Sequence, residues 1–283
     1  MQDLDQLAPA ALVARLHAAY AAVSPAVEAA LPALVTAVEA LASRWPRGGR
    51  LILVGAGTSG RVAVAEAAEC PPTFGTPPDR VVAVLAGGAG AMLAAVEGAE
   101  DDAAAGVRAM SERAVGPTDV VVGVSASGGA AFVCAAVAAA RRAGATTAAV
   151  TCVGGSPLAV AAEIVAVLPT GPEPLAGSTR MLAGSAQKMA LNILTTAAMT
   201  LLGHVHGDRM VDFRPSNAKL RARAAGTVAA LAGVTPPEAR AALEMAGWRV
   251  KPAIMMAAHR VSAAEAEGLL RRAEGSLRRA LRG

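Results

Sequence analysis

The chain has 283 residues, which suits one large domain or one domain with appendages, and it can bury a sizeable core without disulfides or metal. Hydrophobic residues make up 54% of it, yet only two Trp, one Tyr and three Phe are present, so aromatic stacking on nucleic-acid bases is nearly excluded. A net charge of +4 argues against a nucleic-acid partner and fits at most a small anionic ligand.

The first segment predicts an N-terminal helical arm over residues 1–46. Ala-rich sequence with helical spacing extends from about Ala8 to Ala42, and Pro25 and Pro32 divide it into two or three pieces. Asp3 and Asp5 stand where a secretory signal would be basic, which predicts a cytoplasmic protein. We expect no membrane partner.

The cysteines support the same compartment. Cys70, Cys134 and Cys152 are odd in number and lack Cys-x-x-Cys spacing. This pattern fits a reducing environment and predicts neither a disulfide framework nor a zinc site. We interpret all three as small buried hydrophobic residues.

Residues 47–214 predict a doubly wound α/β domain with a five-stranded parallel sheet. Short β-branched runs alternate with Ala-rich segments of helix length, and each run is apolar throughout, as strands buried on both faces are. In such a sheet, ligands bind at the carboxyl ends of the strands. The predicted strands are Leu51–Val54, Val81–Leu85, Val120–Val124, Thr147–Cys152 and Ile164–Leu168.

The C-terminal part, residues 215–283, predicts a small appendix of three helices. Pro215, Pro236, Pro237 and Pro252 punctuate a sequence that is otherwise helical in composition. Thr235 should cap the helix that Pro236 and Pro237 begin, with Glu238 completing a capping box.

Two glycine-rich loops with hydroxyl side chains follow the first and third predicted strands. The first, Gly55–Gly60, formally fits G-x-G-x-x-G, but no acid ends the second strand to hold a dinucleotide ribose. Either loop alone could be a tight turn capped by Ser; together they favour binding of one phosphate between them. The candidate ligands are Gly57, Thr58, Ser59, Ser125, Ser127 and Gly128.

Glu69 and Glu100 are the candidate acids. Pro71 and Pro72 should stop the helix that begins near Ser59, which would put Glu69 in its last turn. The negative end of the helix dipole would make a carboxyl there easier to protonate, as suits a general acid; the alternative is a surface residue at a frayed helix end. Glu100 lies in an acidic cluster, and such a cluster is usually a solvated helix start.

A further segment, from Ala176 to Lys188, contains hydroxyls and two cations, and we interpret it as a helix start that could complete an anion site. Ser178 and Lys188 are its candidate ligands. The four histidines are dispersed along the sequence and accompany no acidic residue at metal-ligand spacing, so we expect neither a metal nor a cofactor.

These strings together resemble the N-acetylmuramic acid 6-phosphate etherases, members of the sugar isomerase (SIS) fold group. The resemblance extends from about Leu51 to the C-terminus. AECPPTFG and EGAED are specific to that family and its nearest relatives. The strings that carry it are GAGTSGR, AAECPPTFG, VEGAEDD, AGSTRMLAGSAQK and NAKL.

The resemblance implies cleavage of the lactyl ether of N-acetylmuramic acid 6-phosphate to N-acetylglucosamine 6-phosphate and D-lactate, in cell-wall recycling. The family's two catalytic carboxylates correspond to Glu69 and Glu100. Glu100 would then remove the C2 proton, which the open-chain aldehyde acidifies, and Glu69 would protonate the departing lactate. Water then adds to the unsaturated aldehyde.

One inference concerns assembly. Thr58 and Ser59 are separated from Glu69 by about ten helical residues, or ~15 Å at 1.5 Å per residue, which is too far for one hexose phosphate. We therefore expect a homodimer with shared active sites, in which Glu69 serves the partner's site.

The sequence departs from the family pattern at two places near the expected phosphate. Family members usually continue the second loop as Ser-Gly-Arg-Thr-Pro, whereas Gly129, Ala130 and Ala131 stand here, and Leu182 replaces a family Lys. Loss of these groups should weaken anion binding. Two alternatives therefore stay open: a non-catalytic sugar-phosphate sensor and an aldose-ketose sugar-phosphate isomerase.

Overall fold

The computed structural model describes residues 3–282 and divides them into two compact units. The sheet unit comprises the chain up to Ala67 together with Asp79–Thr195, and the helical unit comprises Ala68–Pro78 together with the chain from Thr196 onward. The domain boundaries expected at residues 46 and 214 stay a prediction.

The arm forms three helices, α1 (Pro9–Ala19), α2 (Val23–Ala29) and α3 (Leu31–Arg44). Pro25 lies in the first turn of α2, and Pro32 lies in the first turn of α3. The N–H groups of a first turn make no hydrogen bond within the helix, so a proline there removes none. The 21-residue stretch Pro9–Ala29 is long and apolar enough to cross a membrane, but a 3-10 turn at Tyr20–Ala22 interrupts it. The large side chains of Val13 and Tyr20 in this stretch are exposed.

The sheet has five parallel strands in the order β2-β1-β3-β4-β5, which confirms the predicted doubly wound α/β class. The observed strand ends agree with the predicted ones to within one residue, because each strand is a β-branched run bounded by turn residues. The strands are β1 (Leu51–Gly55), β2 (Val81–Leu85), β3 (Val120–Val124), β4 (Thr146–Thr151) and β5 (Ile164–Val167).

Helices on the connections cover the sheet. Side chains of β1, β3 and β4 pack with those of α6 into one core, which includes Ile52, Val121 and Phe132. The connecting helices are α4 (Gly57–Phe74), α5 (Ala103–Glu112), α6 (Ala131–Arg142) and α7 (Pro157–Ala161), and a further helix, α8 (Leu182–Leu201), follows β5.

The helical unit has its own core, formed around the fully buried Leu243 and Ile254. The NAKL motif begins its first long helix, where the Asn217 side chain accepts a hydrogen bond from Leu220 N at 2.9 Å. Thr235 and Glu238 form the predicted capping box. A short antiparallel hairpin pairs Val205–His206 with Arg209–Met210. The unit contains more helices than the expected three: α9 (Ala218–Ala232), α10 (Pro236–Met245), α11 (Val250–His259), α12 (Ala263–Arg272) and α13 (Leu277–Ala280).

Candidate functional site

The two hydroxyl-bearing loops lie side by side at the carboxyl edge of the sheet. Strand β1 is hydrogen-bonded to β3, and Gly55, the last residue of β1, pairs with Val124, the last of β3. In the order β2-β1-β3-β4-β5, the crevice between β1 and β3 is the point at which the strand order reverses, where sheets of this class bind ligands. The sheet topology therefore brings the loops together, as the sequence predicts.

The first loop is shaped by close contact of strand and helix. A Cβ on Gly60 would lie 2.7 Å from Gly55 O, so α4 can start directly against β1 only because both residues are glycine. Gly57 has φ +52°, and it begins α4, whose first-turn N–H groups have no helical acceptor. Thr58, which is half-buried, and Ser59, which is buried, follow Gly57 directly in this first turn.

The second loop is held by its own serines. Ser125 Oγ is buried and accepts a hydrogen bond from Gly128 N at 3.2 Å, while the exposed Ser127 accepts one from Gly129 N at 3.2 Å. Gly128 has φ +68°, and a Cβ there would lie 2.1 Å from Ser156 Oγ. Both hydroxyl hydrogens stay available for donation to a ligand.

The start of α8 lies beside the first loop. A Cβ on Gly184 would be 3.2 Å from Thr58 Cγ2, and the half-buried Ser178 lies in the loop that leads into the helix. The carboxylate of Glu173 accepts hydrogen bonds from the backbone N–H groups of Leu182 at 2.8 Å and Ala183 at 2.9 Å. An internal carboxylate thus occupies part of the helix terminus that we interpreted as an anion site.

Lys188, whose side chain is 40% exposed, forms an ion pair with a buried carboxylate. Its Nζ lies 2.7 Å from Oε2 of Glu66, whose side chain is only 3% exposed. Asn192 and Thr195 donate hydrogen bonds to the same carboxylate, at 2.9 and 2.5 Å. Glu66 therefore joins α4 to α8 through a network that sequence spacing did not indicate, and a role of Lys188 in ligand binding stays a prediction.

Glu100 lines a cavity together with Gly57. The cavity has a volume of about 190 Å³ and lies between the start of α4 and the turn at Ala99–Asp101. Arg61 and Glu97 also line it, and neither was a sequence candidate. Arg61 lies four residues after Gly57 on α4, so helical spacing was the signal for its position.

Glu69 is exposed on α4, but it is not at the end of that helix. The expectation that Pro71 and Pro72 stop α4 is wrong, since the helix continues to Phe74. Cys70 and Phe74, four residues apart, are both buried, and their packing outweighs the helical hydrogen bonds that two prolines remove. The dipole argument for Glu69 as an acid therefore loses its structural basis.

Within residues 3–282, no group of three His, Cys, Asp or Glu side chains is arranged to hold a metal ion. Of the three cysteines, all expected to be buried, Cys70 is buried, whereas Cys134 and Cys152 are half-buried. Burial raises the pKa of the Cys134 and Cys152 thiols, so these groups are poor thiolate nucleophiles at neutral pH.

Comparisons with known proteins identify the family. One family model, described as the glucokinase regulatory protein N-terminal SIS domain, matches residues 33–141, and another, described as the SIS domain, matches residues 93–197. The N-acetylmuramic acid 6-phosphate etherase of Yersinia pestis (strain Pestoides F) is 46% identical over 99% of this chain and 95% of its own length. The chain belongs to the N-acetylmuramic acid 6-phosphate etherase family. The etherase of Yersinia pseudotuberculosis serotype O:1b (strain IP 31758) matches to the same extent, also at 46%.

Solved structures agree on the fold of this etherase family member. A phosphoheptose isomerase from Francisella tularensis has a TM-score of 0.51 at 17% identity, covering 71% of this chain and 100% of that one. A phosphoheptose isomerase from Neisseria gonorrhoeae has a TM-score of 0.50 at 19% identity, covering 67% and 97%. The predicted family, SIS fold and enzyme class are confirmed.

Proposed function

We propose that this chain cleaves the lactyl ether of N-acetylmuramic acid 6-phosphate, giving N-acetylglucosamine 6-phosphate and D-lactate in cell-wall recycling. The observation that carries the proposal is the 46% identity to named etherases over 99% of the chain, which includes the segments with both candidate carboxylates. The free thiols of Cys134 and Cys152 support a cytoplasmic location.

The reaction needs a base at C2 and an acid at the ether oxygen. Glu100, which shares a cavity with Gly57, is the proposed base that takes the C2 proton of the open-chain sugar. The C3–O bond then breaks, and the lactate oxygen takes a proton from Glu69. Water then adds across the double bond: Glu69 regains a proton from the water as the oxygen joins C3, and Glu100 returns its proton to C2, so that the net reaction consumes one water and restores both carboxyl groups.

The phosphate is assigned to the loops that follow β1 and β3. The first-turn amides of α4 point out of the helix start, and the hydroxyls of Thr58, Ser59, Ser125 and Ser127 can donate to phosphate oxygens. Glu173 already accepts from the first amides of α8, so that helix start can contribute mainly the hydroxyl of Ser178.

We further propose that the active site is shared between two copies of the chain. Ser59 lies in the first turn of α4, and Glu69 lies ten residues further along the same uninterrupted helix, at a rise of ~15 Å. The cavity beside Gly57 measures about 190 Å³, below the roughly 300 Å³ at which ligand pockets of this kind begin. A partner's Glu69 would complete it.

The N-terminal arm offers a surface for that second copy. Val13 is 66% exposed on α1 and Val35 is 55% exposed on α3, four residues from the exposed Leu31 on the same helix face. Exposed apolar side chains that share a helix face, as Leu31 and Val35 do, are typical of protein interfaces. A second copy of the chain is the proposed occupant.

Incubation of the purified protein with N-acetylmuramic acid 6-phosphate, followed by assay of D-lactate, tests the activity. We expect release by the parent chain and at least a hundred-fold loss in Glu69→Gln and Glu100→Gln, in line with the effect of removing a general acid or base. Glu112→Gln, an exposed carboxylate at the end of α5, is the matched control and should keep full activity.

The same experiment separates the alternatives. A folded protein that binds the sugar phosphate without releasing lactate would be a sensor, for which the altered loop at Gly129, Ala130 and Ala131 is the favouring feature. Interconversion of aldose and ketose phosphates without lactate would indicate an isomerase. Either result would overturn the etherase proposal.

A further inference from the structure

The helical unit contains a cavity that the proposed reaction does not use. Its volume is about 740 Å³, within the roughly 300 to 1,000 Å³ range of small-molecule sites. Part of its wall is made by Phe74 and Gly75, the end of the family-specific PPTFG string. Gly75 has φ +67°, and a Cβ there would lie 2.2 Å from Asp212 O, so this glycine permits the close approach of the Asp212 backbone.

A buried cation lies in the wall. Lys251 is 7% exposed, and its Nζ lies 2.5 Å from Oδ2 of Asp212. The Nδ1 atom of His204 lies 2.8 Å from the same carboxylate oxygen. Burial of a lysine is costly unless acceptors surround it, and here one carboxylate is shared between the lysine and a histidine.

Among the other charged side chains of the wall, the cations also outnumber the carboxylates. Glu267 is shared by Arg249, at 2.5 Å, and Arg271, at 3.6 Å. Within residues 3–282, Arg214 makes no ion pair with an acidic side chain. The wall therefore contains four fixed cations, Arg214, Arg249, Lys251 and Arg271, against two carboxylates, Asp212 and Glu267.

A helix start opens into the same cavity. Helix α11 begins at Val250 without a side-chain cap, and both Val250 and Lys251, which carry its first two amides, line the cavity. Trp248, just before the helix, adopts φ +61°, a conformation that is unfavourable for a bulky residue and clusters at functional sites. Its ring adds an apolar wall, and Arg221 stacks on that ring at 4.8 Å.

We propose that this cavity binds a phosphomonoester, as a ligand site separate from the one at the carboxyl edge of the sheet. The excess of two cations over carboxylates matches the charge of −1.5 to −2 that a phosphomonoester has near pH 7. The uncapped amides of α11 and the Arg214 guanidinium supply donors to its oxygens, and the cavity has room for an organic group beside Trp248.

Tryptophan fluorescence tests this site directly, because Trp45 and Trp248 are the only tryptophans in the sequence. In a Trp45→Phe chain, Trp248 is the sole tryptophan reporter. We expect saturable changes on titration with glucose 6-phosphate, which has no lactyl ether to lose, and weaker ones with inorganic phosphate. Sodium sulfate at matched ionic strength shows how much of the response is due to anion charge alone.

Arg214→Gln in this background should weaken binding about ten-fold, as loss of one charge-assisted contact does. Arg240→Gln, an exposed arginine on α10 outside the cavity, is the matched control and should titrate like its parent. The absence of a saturable change, or equal affinity in the Arg214→Gln and Arg240→Gln chains, would overturn the proposal.

Calorimetry of the otherwise unaltered chain with glucose 6-phosphate guards against disturbance by the Trp45 substitution. Two binding events per chain are expected, one of which Arg214→Gln weakens while Ser59→Ala weakens the other. A single event that Ser59→Ala removes completely would also overturn the second site.

Discussion

Gly128 shows how one residue sets the conformation of the second hydroxyl-bearing loop. Alanine at this position would have its Cβ 2.1 Å from Ser156 Oγ at φ +68°, so the loop must move and carry Ser125 and Ser127 with it. We predict that Gly128→Ala raises the KM for the sugar phosphate at least ten-fold. At Gly129, by contrast, a Cβ would be 3.6 Å from Ser127 Oγ, which is an ordinary contact, and the backbone of Gly129 has no positive φ. Gly129→Ala should therefore leave the KM within two-fold of the parent value, a difference in free energy of about 0.4 kcal/mol.

The ion pair of Lys188 with Glu66 provides a second test at the level of single residues. Lys188→Met removes the cation whose Nζ lies 2.7 Å from the buried Glu66 carboxylate, and we predict a loss of about 2 to 3 kcal/mol in the free energy of unfolding. Adding Glu66→Gln should recover part of that loss, because the carboxylate charge that Lys188 neutralised is then gone, and a double-mutant cycle in urea measures the difference. Strictly additive losses would contradict direct coupling of the two side chains.

Some positions in the candidate site depend on local sequence and could be predicted, whereas others depend on residues that are distant in the sequence. Gly57, Thr58, Ser125 and Ser127 could be placed from sequence, because a strand followed by a glycine turn fixes them at the carboxyl edge. The pairing of Lys188 with Glu66 could not, since it joins residues 122 positions apart and depends on how α4 packs against α8.

At the level of elements, a buried ion pair fixes the starts of the two central strands. Arg50, just before β1, donates from Nε and Nη2 to Asp119, just before β3, at 3.0 and 2.7 Å. Burial alone would raise the pKa of Asp119, but hydrogen bonds from Arg50 and Gly116 lower it below its ordinary value of 3.8. The ionised carboxylate is thus the form that stabilises the sheet.

This pair predicts a specific response to acid. Because the pKa of Asp119 is lower in the folded chain, its contribution is complete above the ordinary value of 3.8 and is lost as the pH falls through the folded pKa. Asp119→Asn should cost about 2 kcal/mol at neutral pH and flatten the decline in stability below about pH 4. Urea unfolding at stepped pH measures both, with Glu112→Gln as control; an unchanged acid profile would contradict the assignment.

Strand and helix positions differ in how well local sequence determines them. The β-branched runs fixed all five parallel strands to within a residue, since each is apolar on both faces and bounded by turn residues. The predicted end of α4 was wrong because the prediction relied on Pro71 and Pro72, which break helices locally. Burial of Cys70, at 1% exposure, and of Phe74, at 6%, is a tertiary effect. Packing contacts of this kind have no signature in the local pattern.

For the whole molecule, the decisive question is whether Glu69 and Glu100 of one active site come from different chains. In a two-fold dimer with shared sites, a heterodimer of Glu69→Gln and Glu100→Gln chains has one site with both substitutions and one with neither. Random pairing makes half of the dimers mixed, so co-expression of the two chains under different affinity tags should restore about a quarter of the parent's lactate release.

The control for that experiment is a mixture of the two homodimers, purified separately and combined without exchange, which should remain inactive. Tandem purification of the mixed dimer through both tags should raise its specific activity to about half of the parent's, because one of its two sites is intact. If each chain instead supplied both carboxylates to its own site, every site of the mixed dimer would lack one of them. Activity would then stay at the level of the single variants, and the dimer with shared sites would be refuted.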